Sequence, residues 1–419
     1  MVASTDIKFF VHTNNNAPQL QNTYGSMINV LDACLINGIN IGTVSSLTAS
    51  GTTVTALFSS AHNLMQYQVI KITGVNQPEF NGEHRVLTAP NAQTITFELA
   101  AVPSVTAATG VITASLPPLG WEKPFSSSNP SGGGKAAYRF LNPLLPSRPF
   151  LRVVDELDPA YTATYAKYAK VGIVEDMTDI DTMFNQAPYD LSSPDKNWIG
   201  TGSGSSAVNG WARWYYASDQ EFFNAQADSL TATTGNRNWI VVGSESCFYI
   251  LPTAIPMSSD HICYGFGEFK SLIDVDASNN FLSASLSNNQ AFNGFNKAQV
   301  NGIGATDALN KVLLQRIYNQ NAASAYAENF SLGVVKATIY SGYTNYLAAS
   351  PANKLTPFAP IFLKEDGDVL RGELNGVFYV LQSKPLTHLY TFKEDNEYFI
   401  AINIAHNNSY RGQIVLRIG

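Results

Sequence analysis

Charge is scarce in this chain: Asp, Glu, Lys and Arg make up 14% of 419 residues, and their balance is −7. A protein that grips nucleic acid through its phosphates needs a basic face, and no cluster of Lys and Arg stands out, so no direct nucleic-acid binding is expected. Cysteine is scarce too. Cys34, Cys247 and Cys263 are odd in number, far apart and set in apolar or aromatic company, so free buried thiols are expected in place of a disulfide framework or a metal knuckle. No stretch approaches the ~18 uninterrupted apolar residues of a membrane span. The opening MVASTDIKFF lacks a basic region followed by an apolar run, so synthesis in a reducing cytoplasm without a membrane segment is expected. No repeat of about 20–50 residues is visible, which argues against a solenoid or a repetitive fibre.

What is abundant is neutral. Hydrophobic residues make up 45%, and Thr, Ser, Asn and Gly fill much of the rest, a balance that favours β-rich surfaces suited to packing against other subunits. Met27, Val30, Leu31 and Cys34 fall at i, i+3, i+4 and i+7 before Gly38, which predicts a short amphipathic helix. From residue 43 to 115 the text becomes short alternating runs (TVTALF, YQVIKI, EHRVLT, TITFEL, GVITASL) separated by turn clusters, the pattern of a small barrel or sandwich. Asn81-Gly82 reads as a tight hairpin turn, and Val69, Ile72, Val86 and Phe97 as interior residues. Residues 116–150 are rich in Pro, Ser and Gly yet carry large apolar side chains. They read as an extended arm whose Trp121, Phe125, Phe140 and Leu144 would bury against a neighbouring subunit.

Further on, Asp158 and Pro159 at the head of DPAYTATYAKYAKVG, with Tyr161, Tyr165 and Tyr168 on one face, predict a helix that stops at Gly172. A second helix is predicted from Thr306 or Asp307, with Leu309, Val312, Leu313 and Ile317 on one face. At the C-terminal end Tyr398, Ile400, Ile402 and Ile404 alternate, and Ile414, Leu416 and Ile418 do the same to the last residue. With Asp366-Gly367 and Asn375-Gly376 as hairpin turns, residues 331–419 read as an antiparallel sandwich or barrel whose terminus is tied into a sheet.

Two sets of motifs carry a resemblance. His62, Leu64, Val69, Ile72, Gly74, Phe80, Asn81, Gly82, Val86 and Phe97, with Asn63 where glycine is usual, resemble a small β module that recurs inside structural proteins of tailed bacteriophages. VGIVEDMTDID from Val171, NWIVVG from Asn238, YGFGEF from Tyr264 and LRGELNG from Leu370 resemble, in that order, a family of uncharacterised virion proteins of tailed phages. The resemblance implies a part of a phage particle and carries no enzymatic chemistry.

Residues that could do chemistry have plainer readings. Glu175, Asp176, Asp179 and Asp181 place four carboxylates within seven residues, an oxygen-rich set that could hold Ca²⁺, but the spacing misses the EF-hand loop and a solvated loop or a contact to a basic patch fits better. The same carboxylates could pose as a glycosidase pair, with Trp198, Trp211, Trp214, Tyr215 and Tyr216 as a sugar platform; the alternation in GWARWYYASD fits a strand buried on both faces better. The glycines of 200–206 lack the Lys-Ser/Thr ending of a phosphate loop, and GIGATDALN lacks the preceding buried strand that dinucleotide binding requires. Ser244 in VGSES misses the nucleophile elbow, because Cys247 stands near where glycine is needed. The six histidines, His12, His62, His84, His261, His388 and His406, show no pair at metal spacing.

The fold is therefore expected to be mainly β with a few helices, a small β-barrel or sandwich insertion plus a larger antiparallel β body. The expected divisions are an N-terminal segment of the main body (1–42), the inserted β domain (43–115), the arm or linker (116–150), a central mixed β/α region (151–330) and the C-terminal antiparallel region (331–419). The expected function is that of a structural, non-enzymatic tail component of a tailed phage: tube, sheath-like, collar or baseplate ring. It would be located in the virion, need no cofactor or metal, and partner itself in a homo-oligomeric ring or tube and other virion proteins. The alternatives are a receptor-binding or saccharide-binding or -cleaving tail protein, and a head-decorating protein.

Overall fold

The computed structural model describes residues 3–203, 210–220, 230–286, 300–301, 303, 311–321, 330–333, 358–365, 369–380, 384–407 and 410–419. They build two large antiparallel sheets and a closed barrel, so the chain is mainly β as expected. Short runs of β-branched and aromatic residues bounded by turns fold this way because each strand must bury one face, and here many bury both.

The barrel is made of Ile39–Ser50, Thr53–Phe58, Thr94–Glu98, Gly82–Asn91, Val69–Val75 and Gly110–Leu116 in that spatial order. Its entering and leaving strands pair with each other, Ile39 opposite Leu116 and Asn40 opposite Ser115, so the unit is inserted at one point. Alternation in Thr53–Phe58 turns Val54, Ala56 and Phe58 inward, and Val69, Ile72, Val86 and Phe97 are all buried. Asn63, at the usual glycine position, has φ +50°, a left-handed conformation that Asn tolerates better than most residues. Asn81-Gly82 is not a tight turn. Asn81 has φ −77°, and its side chain receives the Val75 amide (3.1 Å) and donates to the Val75 carbonyl (2.8 Å), imitating a strand neighbour while Pro78–Phe80 form a helical turn.

The barrel stands on a body whose twelve-stranded sheet runs in the order Lys8–Val11, Trp239–Gly243, Cys247–Pro252, Tyr264–Ser271, Asn280–Ser283, Lys311–Leu314, Phe330–Gly333, Phe358–Glu365, Val369–Val380, Tyr410–Arg417, Glu397–Asn407, Thr391–Glu394. The sheet curls until Tyr264–Ser271 also pairs with Val369–Val380. The division expected between 330 and 331 falls inside the strand Phe330–Gly333, and the C-terminal strands are the end of this sheet and not a separate sandwich. Asn375-Gly376 lies within Val369–Val380 as a bulge with Gly376 at φ +66°, where the strand exchanges its neighbours. Asp366-Gly367 lies outside the described residues, as do 306–310 of the second predicted helix. Lys311–Leu314, that helix's expected second half, is a strand paired with Asn280–Ser283.

The second sheet contains Val300–Asn301, Ser285–Leu286, Ala212–Ala217, Lys167–Met177, Phe150–Glu156, Gly133–Phe140 and Trp121–Ser128, with Met183–Ala187 paired to Lys167–Met177. The helix predicted from Asp158 is therefore a run of turns followed by a strand. Asp158 accepts the Ala160 amide (2.9 Å) as a turn does, and Lys170 reaches its other oxygen (2.7 Å). Tyr161, Tyr165 and Tyr168 do share a face, but they share it with Tyr215 on the neighbouring strand. A weak local helix loses to backbone pairing on both sides of Lys167–Met177.

The expected arm, 116–150, is a hairpin. Trp121–Ser128 and Gly133–Phe140 pair from Trp121–Phe140 to Ser128–Gly134, and 129–132 form its turn, with Gly132 donating its amide to the Asn129 carbonyl (2.9 Å). One hydrophobic cluster runs from the barrel through the space between the sheets, joining Phe97 and Leu116 to Trp121, Tyr138, Phe140 and Trp214 on one side and Trp239, Phe248 and Phe266 on the other. The helix Ser26–Leu31, extended by a wider turn Asp32–Asn37, faces this core with Met27, Val30, Leu31 and Cys34 fully buried. Its first amides are held by Asp155 from the adjacent sheet, which accepts from Met27 (3.0 Å) and Ile28 (3.4 Å).

Candidate functional site

Of the four residues expected to contact a neighbour, two belong to the chain's own core. The Trp121 ring lies 4.7 Å from Phe140 and 5.1 Å from Phe248, centroid to centroid, and its indole N–H donates to the Ser244 carbonyl (2.9 Å). Trp121 thus ties the two sheets together, and Phe140 is completely buried. The large side chains that looked like anchors for another subunit were anchors for the opposite sheet. Phe125 is half-buried against Phe150, 5.7 Å away. Leu144 is different: it is 88% exposed.

Two of the four candidate carboxylates, Glu175 and Asp181, are occupied by cations. Arg316 grips Glu175 with two bonds of 2.6 Å. Asp181 takes Lys135 and Arg152, each at 2.7 Å. Asp179 accepts the amides of Asp181 (2.8 Å) and Thr182 (2.9 Å), closing a turn whose hydrogen bonds hold its pKa below the ordinary carboxylate value. Among the described residues no group of three or more His, Cys, Asp and Glu is arranged to hold a metal ion. The supposed sugar platform is interior: Ala212–Ala217 is buried along its whole length, as are Trp198 and Trp211. Ser244 sits in a turn between two strands, where its amide donates to the Cys247 carbonyl (2.8 Å). A nucleophile elbow needs a strand running into a helix. The three cysteines are buried and unbridged. Burial pushes the Cys247 thiol up to about 12, far from a reactive thiolate.

Two of the sequence stretches that carry the resemblance meet in space. Phe269, Lys270 and Ser271, at and just after the end of YGFGEF, pair with Leu374, Glu373 and Gly372 of LRGELNG. Gly372 is required there, because a Cβ would lie 2.4 Å from the Lys270 carbonyl and 2.7 Å from the Phe269 ring. Arg371, with no exposed surface, is held by Asp276 (2.7 Å) and Glu365 (2.7 Å), which are themselves buried. These residues close the curl of the large sheet. The signature-like sequences serve the scaffold, which is why no chemistry could be read from them.

One cluster was not legible in the sequence. His12, His261 and His388, each more than a hundred residues from the next, come together, the last two with rings 5.1 Å apart and planes 30° from parallel. Spacing could not reveal it, since each lies in a different connection between strands.

The surface offers limited openings. A polar cleft of about 570 Å³ lies between the start of the Ser26–Leu31 helix and the outer hairpin, but its lysines, Lys123 and Lys135, are already paired with Asp32 and Asp181. The outermost strand, Trp121–Ser128, carries Pro124 and a bulge between Glu122 and Phe125, both of which discourage a foreign strand from adding to that edge. No helix among the described residues is long and apolar enough to cross a membrane.

No known protein family matches the chain, and no curated protein matches it. Among solved structures, an endosialidase of phage phi92 aligns over 90% of this chain and 51% of its own, with a TM-score of 0.16 and 10% identity. The chain thus spans about half the length of that protein, and a likeness at this level carries no argument about fold or function.

Proposed function

We propose that the chain is a structural subunit of a tailed bacteriophage particle, a tail component such as a tube, sheath-like, collar or baseplate ring protein, working through contacts with copies of itself and other virion proteins and catalysing no reaction. The observation that carries this reading is the use of the phage-like motifs. YGFGEF and LRGELNG close the large sheet around Arg371, and the phage-like module forms a self-closed barrel inserted at one point. A chain that spends its most distinctive residues on a rigid frame and a projecting module is suited to assembly. Its contact with neighbours is assigned to exposed apolar residues such as Leu144, 88% exposed, and not to Trp121 or Phe140.

The test is an electron-microscopy map of the intact particle, in which the frame should repeat around the tail axis with the 39–116 barrel on its surface. Absence of the polypeptide from purified particles would overturn the reading. Its non-enzymatic part fails if the purified chain releases reducing sugar from host surface polysaccharide and Asp181→Asn abolishes the release.

A further inference from the structure

The histidine cluster lies at a seam. The segment 258–263 lies against the strand Glu397–Asn407 through a single parallel bridge, His261 to Ile404. Two hydrogen bonds at this seam meet on Asn403: its carbonyl accepts the His261 amide (3.0 Å), and its amide donates to Nδ1 of the His388 ring (3.2 Å). The bonds made by the ring nitrogens fix the protonation of His261 and His388. His261 donates Nδ1–H to the Leu251 carbonyl (2.7 Å), so its Nε2 carries a bare lone pair. That Nε2 and Nδ1 of His12 are buried with no hydrogen-bond partner among the described residues. His388 accepts at Nδ1, so its own proton is on Nε2. The arrangement is consistent only with neutral rings.

We propose that His12, His261 and His388 form a pH-operated latch that holds the 258–263 segment against Glu397–Asn407 while the rings are neutral and releases it on protonation. A proton on His388 Nδ1 places N–H against the Asn403 N–H and breaks that bond. A proton on His261 Nε2 puts a charge where no acceptor stands, beside the second ring. The other charged groups facing the cluster are Asp260, from the same segment as His261, and Lys384, from the connection carrying His388. They are paired with each other, and act in opposite directions on His388. Burial dominates: it carries His261 down to about 3 and His388 to about 4, with the neighbouring ring adding to the shift of His261. His12 is lowered by burial against the opposing pull of the Trp239 carbonyl.

Because these folded-state values lie below the unfolded histidine value of about 6.5, the closed seam binds fewer protons than the open one and weakens as pH falls from about 6.5 towards 4. Hydrogen exchange on the intact chain tests this. Between pH 7 and 4.5, after correction for the intrinsic rate, peptides covering 258–263 and 398–404 should lose protection tenfold or more while peptides of the histidine-free hairpin 121–140 hold theirs. His388→Gln, whose amide oxygen can still accept the Asn403 N–H but does not titrate, should abolish most of that response. An unchanged response in His388→Gln, or seam and hairpin 121–140 opening in parallel, overturns the proposal. Should that variant fail to fold, NMR titration of ¹³C-labelled histidines in the wild-type protein decides: midpoints near 6.5 for both His261 and His388 overturn it, and depressed midpoints support it.

Discussion

Replacing Trp121 by Ala separates a core hairpin from an assembly arm. Trp121 is 4% exposed, stacks edge-on against Phe140 and Phe248, and satisfies the Ser244 carbonyl. Truncating a buried Trp to Ala costs about 3–5 kcal/mol through lost transfer energy and the cavity left behind. At about 2.1 cal/mol/K per residue, a chain of 419 residues has an unfolding entropy of about 0.9 kcal/mol/K. The melting midpoint should therefore fall by about 3–6 °C. Trp121→Phe keeps a ring between the sheets and loses the N–H to Ser244, so about 1–2 kcal/mol is expected, a third or so of the effect. Leu144→Ser, at an exposed position, should stay within about 0.5 kcal/mol of wild type. Thermal unfolding followed by circular dichroism, with the oligomeric state measured on the same samples, reads all three. If Trp121→Ala melts within 1 °C of wild type and only assembly suffers, the packing argument is wrong and the segment acts between subunits after all.

Asp155, fully buried, is pushed up to about 6 by burial against the hydrogen bonds from Tyr216 and the helix amides. Its folded value lies above the unfolded carboxylate value, so its contribution is complete below about 4 and fades as pH rises through about 6. The stability difference between wild type and Asp155→Asn, from urea midpoints, should therefore shrink between pH 4 and 7; a constant difference would contradict this. Arg371→Ala strands Asp276 and Glu365 in the interior and should cost about 3–5 kcal/mol at pH 7. Urea unfolding reads that penalty, and an unchanged midpoint would contradict it. A fragment covering 39–116 should melt cooperatively by itself, because a closed barrel leaves no unpaired edge; a featureless melt would show that it needs the body beneath it.

The strands that the sequence announced are those whose alternation meets one buried face. Val54, Ala56 and Phe58 in the barrel, set between the exposed Thr53, Thr55 and Leu57, could be placed by period alone, because a residue's neighbours two positions away share its side of a sheet. The buried thiols and the short N-terminal helix were legible for the same local reason. Where local signals were ambiguous, long-range pairing decided. The tyrosines after Asp158 satisfy a helical period, yet Tyr161 and Tyr165 close turns and Tyr168 enters a strand paired with Ala212–Ala217. Trp121 and Phe140 read as anchors without a visible home, since that home, Phe248 and Phe266, lies more than a hundred residues away. Asn375-Gly376 has the chemistry of a tight turn, but only the curl of the sheet made it a bulge. The sequence determined that the chain would be β-rich, sparsely charged and built around an inserted barrel, because these follow from composition and period. The tertiary structure alone decided which apolar faces meet, which carboxylates find arginines and that three distant histidines share one seam, because those contacts depend on strand order and register, and neither is encoded in any short stretch.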